Sequence, residues 1–195
     1  MGFIERTLGK LFYNYKLTED ALMINQEGFK DAPRSLTLTS EDFKDGEHMP
    51  VATAGVGVGD NKCPSLKITG LEPNAKSYVL LCQDIDVPIL IPVTHMVIYN
   101  ISPSKTTFAL DELSESTSDL YKRGKNLYRN TKYLGPRPLE AHGPHRYCFQ
   151  AFGINEIATT ALSKLSEPPR AIHVQEIIKG NVVSTGLLTG IYNRE

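Results

Sequence analysis

The chain has only three cysteines in 195 residues, Cys63, Cys82 and Cys148, an odd number without metal-type spacing, which argues against a disulfide framework or a zinc site. A reducing compartment fits such usage, and the cytosol is the expected location. No apolar run near the N-terminus is long enough for a signal peptide or a membrane span, so stable membrane insertion is not expected. Met1-Gly2 does not open a myristoylation pattern, because Arg6 stands where Ser or Thr is required. Asn100-Ile101-Ser102 is a formal glycosylation sequon, discounted because no export signal accompanies it. Excess positive charge is also missing. With 21 Lys and Arg against 22 Asp and Glu, the formal charge is -1, which leaves no polybasic face for nucleic acid. There is no Gly-x-Ser-x-Gly elbow, which removes the familiar triad hydrolases. Gly55-Val56-Gly57-Val58-Gly59-Asp60 carries Asp60 where a dinucleotide fingerprint needs its third glycine, and no Gly-Lys-Ser or Gly-Lys-Thr follows. A flexible turn is the better reading.

With 41% hydrophobic and 22% charged residues, the chain has the composition of an ordinary globular protein, expected to form one domain over 1–195. Ile4, Leu8, Leu11, Phe12 and Tyr15 recur at spacings of three and four. This predicts an amphipathic helix over 3–15, within the first 20 residues, packed on the domain by that stripe. Leu36 and Leu38, then Leu66 and Ile68, alternate with polar neighbours as half-buried strands do. Residues 77–82, 95–101 and 147–154 are apolar runs bounded by Pro, Gly or Asp and read as central strands. Residues 102–132 lack periodicity and read as a long connection. A short helix is expected over 158–165, a clearer one after Pro168-Pro169 stopping at Gly180, and a last, bent strand over 182–192. Strands in the middle and helices at the two ends predict a mainly β (α+β) domain, with a doubly wound sheet as the weaker alternative.

Candidate chemistry gathers at strand mouths, where a rigid scaffold presents loops. Asp84 and Asp86 flank Ile85 and, if extended, would point to one side, so that two carboxylates share a pocket and one is pushed toward protonation. A protonated acid there could donate to an anion or serve as a general acid. A solvated turn is the plainer reading of Asp-x-Asp-x-Pro, and a metal bound by Asp84, Asp86 and His95 lacks a complete ligand set. His95 opens an apolar run. His145 and Tyr147 would project together from an extended segment, with Arg146 on the other side as an internal anchor. His142 is expected to be an exposed loop residue, and Cys148 to face away from the pocket.

Together, Asp84-Ile85-Asp86-Val87-Pro88 and Gly143-Pro144-His145-Arg146-Tyr147 resemble the two signatures of the phosphatidylethanolamine-binding (Raf kinase inhibitor-like) family. The resemblance covers about residues 60–192 and is strongest to a fungal branch at 82–99, at Gly124-Lys125-Asn126 and over 136–150. It implies a β-sandwich with helices near the termini. It also implies a small pocket for carboxylate-like or phosphate-like anions, lined by Asp84, Asp86, Pro88, His95, Gly135, Pro136, His145 and Tyr147. Asp84, His145 and His95 would carry any acid-base chemistry, with no cofactor and no metal. Ile85 and Val87 replace the family's proline and alanine, predicting a looser loop and a more apolar pocket. Lys67 stands where many bacterial relatives have tryptophan, of which this chain has none, and the charged loop of the plant flowering regulators is missing. Two functions follow from the resemblance. One is assistance in coupling maleic anhydride-type intermediates of fungal polyketide pathways. The other is a non-catalytic anion-binding regulator that inhibits a kinase or peptidase. The ligand would be a small anion or anhydride, and a protein partner stays open.

Overall fold

In a computed structural model that describes residues 2–195, with Met1 outside the described part, the chain is mostly sheet with a few helices. The strands are β1 (Thr37–Thr39), β2 (Leu66–Thr69), β3 (Ser77–Asp84), β4 (Val93–Ile101), β5 (Thr107–Phe108), β6 (Lys122–Arg123), β7 (His145–Ile154) and β8 (Val182–Tyr192). The helices are α1 (Gly2–Leu11), α2 (Glu112–Glu115), α3 (Glu156–Ser163) and α4 (Ala171–Ile178). A three-stranded sheet runs β1-β2-β5 and a five-stranded sheet runs β6-β4-β3-β7-β8, with every pair antiparallel. The segment 102–132, expected to be one connection, contributes β5, α2 and β6. These elements are too short for a period to show in sequence.

The larger sheet is buried on both faces, which is why β3 and β7 are nearly continuous in apolar residues. Alternation sorts them. Tyr78, Leu80 and Cys82 of β3, with Tyr147, Phe149 and Ala151 of β7, meet the smaller sheet. Val79, Leu81, Cys148, Phe152 and Ile154 pack under α3, α4 and residues 22–29. Asn155 caps α3 by accepting from the Ala158 N–H, and Arg170 follows Pro168-Pro169 as the N-cap of α4. No described helix is long and apolar enough to cross a membrane.

One expectation is corrected at the N-terminus. The helix ends at Leu11, and Ile4, Leu8, Leu11 and Phe12 are exposed instead of packed. Its docked face is that of Gly9 and Glu5. Gly9 lies so close to the Glu140 carbonyl and the His142 amide that any Cβ would collide with them. Glu5 accepts from Arg194 at 3.0 Å and Arg137 at 3.3 Å. Close backbone approach and charge pairing, which a hydrophobic stripe does not report, decide which side faces inward.

Candidate functional site

A cavity of about 530 Å³ opens at the mouths of β3, β4 and β7. Asp84, Pro88, His95, Gly135, His145 and Tyr147 line it, and Asp86 and Pro136 do not. Its far wall forms where residues 53–55 meet 135–136. The Gly55 N–H donates to the Pro136 carbonyl and the Gly135 N–H to Asn61 Oδ1. A side chain at 135 would strike the Thr53 backbone, so that wall needs glycine. The turn over 55–59 thus shapes a cavity instead of cradling a phosphate.

Antiparallel pairing sets Asp84 opposite Tyr147 on the β3–β7 ladder. The β3–β4 register passes from Cys82–Met96 to Gln83–Thr94, leaving His95 as the extra residue of a bulge. Strict alternation would point His95 with Val97 and Tyr99 toward the helices. The bulge re-aims it into the cavity, where its ring meets Tyr147 edge-on at 5.1 Å between centroids. His95 Nδ1 donates to the Leu134 carbonyl at 2.6 Å, so Nε2 keeps the lone pair. Burial pushes the His95 pKa below 6.5 against the opposing pull of Asp84 and the Leu134 carbonyl, which favours a neutral, basic imidazole.

His145 occupies the floor with both nitrogens engaged. Nδ1 donates to Asp84 Oδ2 at 2.8 Å, and Nε2 lies 2.7 Å from His142 Nδ1. With both rings neutral, the chain of donors runs from His142 through His145 to the Asp84 carboxylate. His142 is therefore not the exposed loop residue expected from its Gly-Pro surroundings, being fully buried beneath the end of α1. No group hydrogen-bonds its Nε2, although the Phe12 carbonyl lies near enough to favour the charged ring. Burial, then His145 and Lys16, hold the His142 pKa below 6.5. The missed signal was the pair of histidines three positions apart, whose joint burial depends on the seat of α1. Tyr147, almost wholly enclosed, has its hydroxyl pushed well above its ordinary pKa by burial and then by Asp84.

Asp86 corrects the shared-pocket expectation. β3 ends at Asp84, whose Oδ1 accepts the Asp86 N–H at 2.8 Å, and that turn sends Asp86 the other way. There Arg146 grips it from Nε at 2.9 Å, Nη2 at 2.7 Å and its backbone N–H at 2.7 Å. Burial works to raise the Asp86 pKa, but these bonds outweigh it and hold the carboxyl below its ordinary value. The two acids are thus divided between cavity and scaffold, and Asp84, Asp86 and His95 do not converge on a metal. Ile85 is buried on the helix side, away from the cavity, so only Val87 adds apolar lining. Cys148 faces away as expected, its thiol pushed up to about 12 by burial, and no nucleophile is formed there.

His95 and His142 link stability to pH. Both are depressed in the fold below the 6.5 of a free imidazole. As pH falls below 6.5, the unfolded chain takes up protons that the folded one refuses, and stability falls with it. The expected result is a melting temperature lower at pH 5.5 than at 7.5, with a smaller drop for His142→Asn. Equal slopes for the two proteins would show that His142 charges freely in the fold.

The arrangement has counterparts among known proteins. Residues 39–193 match the family described as phosphatidylethanolamine-binding protein. The chain is 30% identical to phomoidride biosynthesis cluster protein B of a fungal species, over 98% of this chain and 95% of that one. It is also 30% identical to the protein of the same name from Talaromyces stipitatus, over 98% and 82%. Among solved structures, a putative phosphatidylethanolamine-binding protein homologue of Chlamydia trachomatis superposes with a TM-score of 0.70 at 25% identity, over 83% of this chain and 99% of that one. The E. coli protein YbcL, described as a member of the mammalian family, superposes at 0.72 with 22% identity over the same shares, a likeness of fold. By the match over 39–193 and by these relatives, the chain belongs to the phosphatidylethanolamine-binding protein family.

Proposed function

We propose that the cavity binds a small carboxylate or anhydride and assists the coupling of two maleic anhydride-type intermediates in a fungal polyketide pathway. The observation that carries this reading is the junction, in one cavity, of a neutral His95 with a free lone pair and the hydrogen-bonded Asp84–His145–His142 chain. The fungal relatives' names, which place them in a phomoidride biosynthesis cluster, agree with a biosynthetic role, and the maleic anhydride class is what the resemblance to the family's fungal branch implies. His95 Nε2 takes a proton from the saturated carbon attached to the maleic anhydride ring, leaving an anion delocalised through the ring double bond onto a carbonyl. The resulting carbanion forms the new carbon–carbon bond to the second molecule, and the proton returns to the adduct, so nothing is oxidised or reduced. Holding both partners in one site supplies proximity. A carboxylate arriving near Asp84 needs a compensating positive charge, and Lys132 and Arg137 line the same cavity. Buried, unpaired cysteines support a reducing, cytosolic setting.

A second reading, binding and regulation without turnover, draws on one observation: both His145 nitrogens are occupied, so His145 offers a ligand no free donor at rest. Coupling assays with purified protein separate the two. The expected result is a rate above the protein-free one, together with a rise in melting temperature on adding maleate. A stabilising response to maleate with a rate equal to the protein-free rate would leave only the binding role.

A further inference from the structure

We propose that a second cavity, on the helix side of the larger sheet, binds a phosphate monoester between Lys125, Arg170 and Gln83. It holds about 460 Å³ and shares only Asn126 and Leu127 with the cavity described above.

Its charge is the first argument. Lys125 and Arg170 line it, and no carboxylate does. The Lys125 N–H donates to the Pro169 carbonyl at 2.7 Å, which lays the segment after β6 against the start of α4 and brings the two cations to one opening. Glu167 stands 3.8 Å from Lys125 Nζ, but its side chain is 81% exposed, and it lines a neighbouring hollow with Arg129 and His173. So loose a pair leaves the lysine able to meet a ligand. Arg170 caps α4 without a side-chain bond, which leaves its guanidinium free. Ala171 and Ile172, in the first turn of α4, also line the cavity, and their N–H groups meet no acceptor among the described residues. The start of a helix favours negative charge.

Gln83 is an independent mark of a missing acceptor. It is only 8% exposed, and its amide is oriented through a buried relay. The Ile24 N–H donates to Gln150 Oε1 at 2.9 Å, so Gln150 Nε2 donates in turn to Gln83 Oε1 at 2.8 Å, an oxygen that also accepts the Met23 N–H at 3.4 Å. Gln83 Nε2 is left as a donor at the cavity with no acceptor among the described residues. The other lining amides spend theirs within the protein. Gln26 Nε2 donates to the Ala21 carbonyl at 3.0 Å, Gln175 Nε2 to Gln26 Oε1, and Asn126 Nδ2 to Asn130 Oδ1 and the Lys132 carbonyl. A buried donor without a partner is costly, and a relay that ends in one is explained by an acceptor that arrives there.

An acceptor set among two permanent cations and a helix N-terminus is an anion. Phosphate fits better than carboxylate, because nearly two negative charges face two cations and three oxygens share the lysine, arginine, glutamine and backbone donors. Ile91, Pro92 and Ile172 line the same cavity and suit the organic part of an ester.

Titration calorimetry with phenyl phosphate, inorganic phosphate, benzoate and phenol tests this. Phenyl phosphate should bind most tightly, inorganic phosphate and benzoate roughly tenfold more weakly, and phenol not measurably. Lys125→Met/Arg170→Met keeps the stems and removes both charges, and should lower phenyl phosphate affinity roughly 100-fold. It should leave the melting-temperature response to maleate unchanged, since neither side chain lines the first cavity. Gln83→Glu keeps the acceptor for Gln150 but sets a carboxylate oxygen in place of the free N–H, and should abolish binding in a protein whose melting curve shows it folded. Phenyl phosphate bound as tightly by the lysine and arginine variant as by wild type would lie elsewhere, and the proposal falls. Binding retained in Gln83→Glu would remove Gln83 from the site. Benzoate as tight as phenyl phosphate would overturn the phosphate class, and no binding to wild type would overturn the site. None of these outcomes depends on the maleate response, so the two readings fail separately.

Discussion

Asp84→Asn should leave a folded protein whose coupling rate drops roughly 10²- to 10³-fold, the size of loss seen when one member of a preorganised polar site is removed. Asparagine keeps the size of Asp84 and can still accept the Asp86 N–H through Oδ1. Its Nδ2, facing His145 Nδ1, is a donor set against a donor. His145 must then move its hydrogen to Nε2, which faces His142 Nδ1, and His142 must move its own hydrogen outward in turn. One atom change reverses the whole chain and removes the carboxylate on which it ends. The stability cost, for a buried group left poorly paired, is about 1–3 kcal/mol. A rate within tenfold of wild type, in a variant whose melting curve shows it folded, would exclude Asp84 from the chemistry.

Arg146→Ala should be the most destabilising single change near the site. Asp86 is enclosed and ionised, and Arg146 supplies two side-chain bonds to it besides a bond to the Leu17 carbonyl at 3.0 Å. Removing the guanidinium strands a buried carboxylate, which costs about 3–5 kcal/mol. At 2–4 °C for each kcal/mol in a chain of this size, the melting temperature should fall by roughly 6–20 °C. Asp86→Ala/Arg146→Ala should recover part of that loss, because the stranded charge goes with its partner. The pH dependence has a definite sign. Asp86 is depressed in the fold, so the stability it contributes is present above its unfolded pKa and lost as pH falls. The gap between wild type and Arg146→Ala should therefore narrow on acidification. A loss under 2 °C at neutral pH would mean that Asp86 is not held as described.

Much of the fold was legible because its signals are local. The predicted run over 182–192 coincides with β8, while those over 77–82, 95–101 and 147–154 became β3, β4 and β7, each extended by two residues toward its polar mouth. Those of β3 and β7 are Gln83, Asp84, His145 and Arg146, too polar to be read as strand yet paired on the ladders. The short elements β5, α2 and β6 carry no period to read.

Residue identity and alternation determined by themselves a mainly β architecture, the two polar strand mouths, and the opposite facing of Arg146 from His145 and Tyr147 along β7. Only the tertiary structure decided that a bulge turns His95 into the cavity, that Asp86 leaves it for Arg146, that His142 lies beneath α1 against His145, and that α1 docks by Gly9 and Glu5 with its apolar stripe outward. The physical reason is range. Periodicity reports which neighbours along the chain share a face, whereas each of these outcomes depends on a partner on another segment, from register slip between strands, a hydrogen bond across 60 positions, or backbones in direct contact.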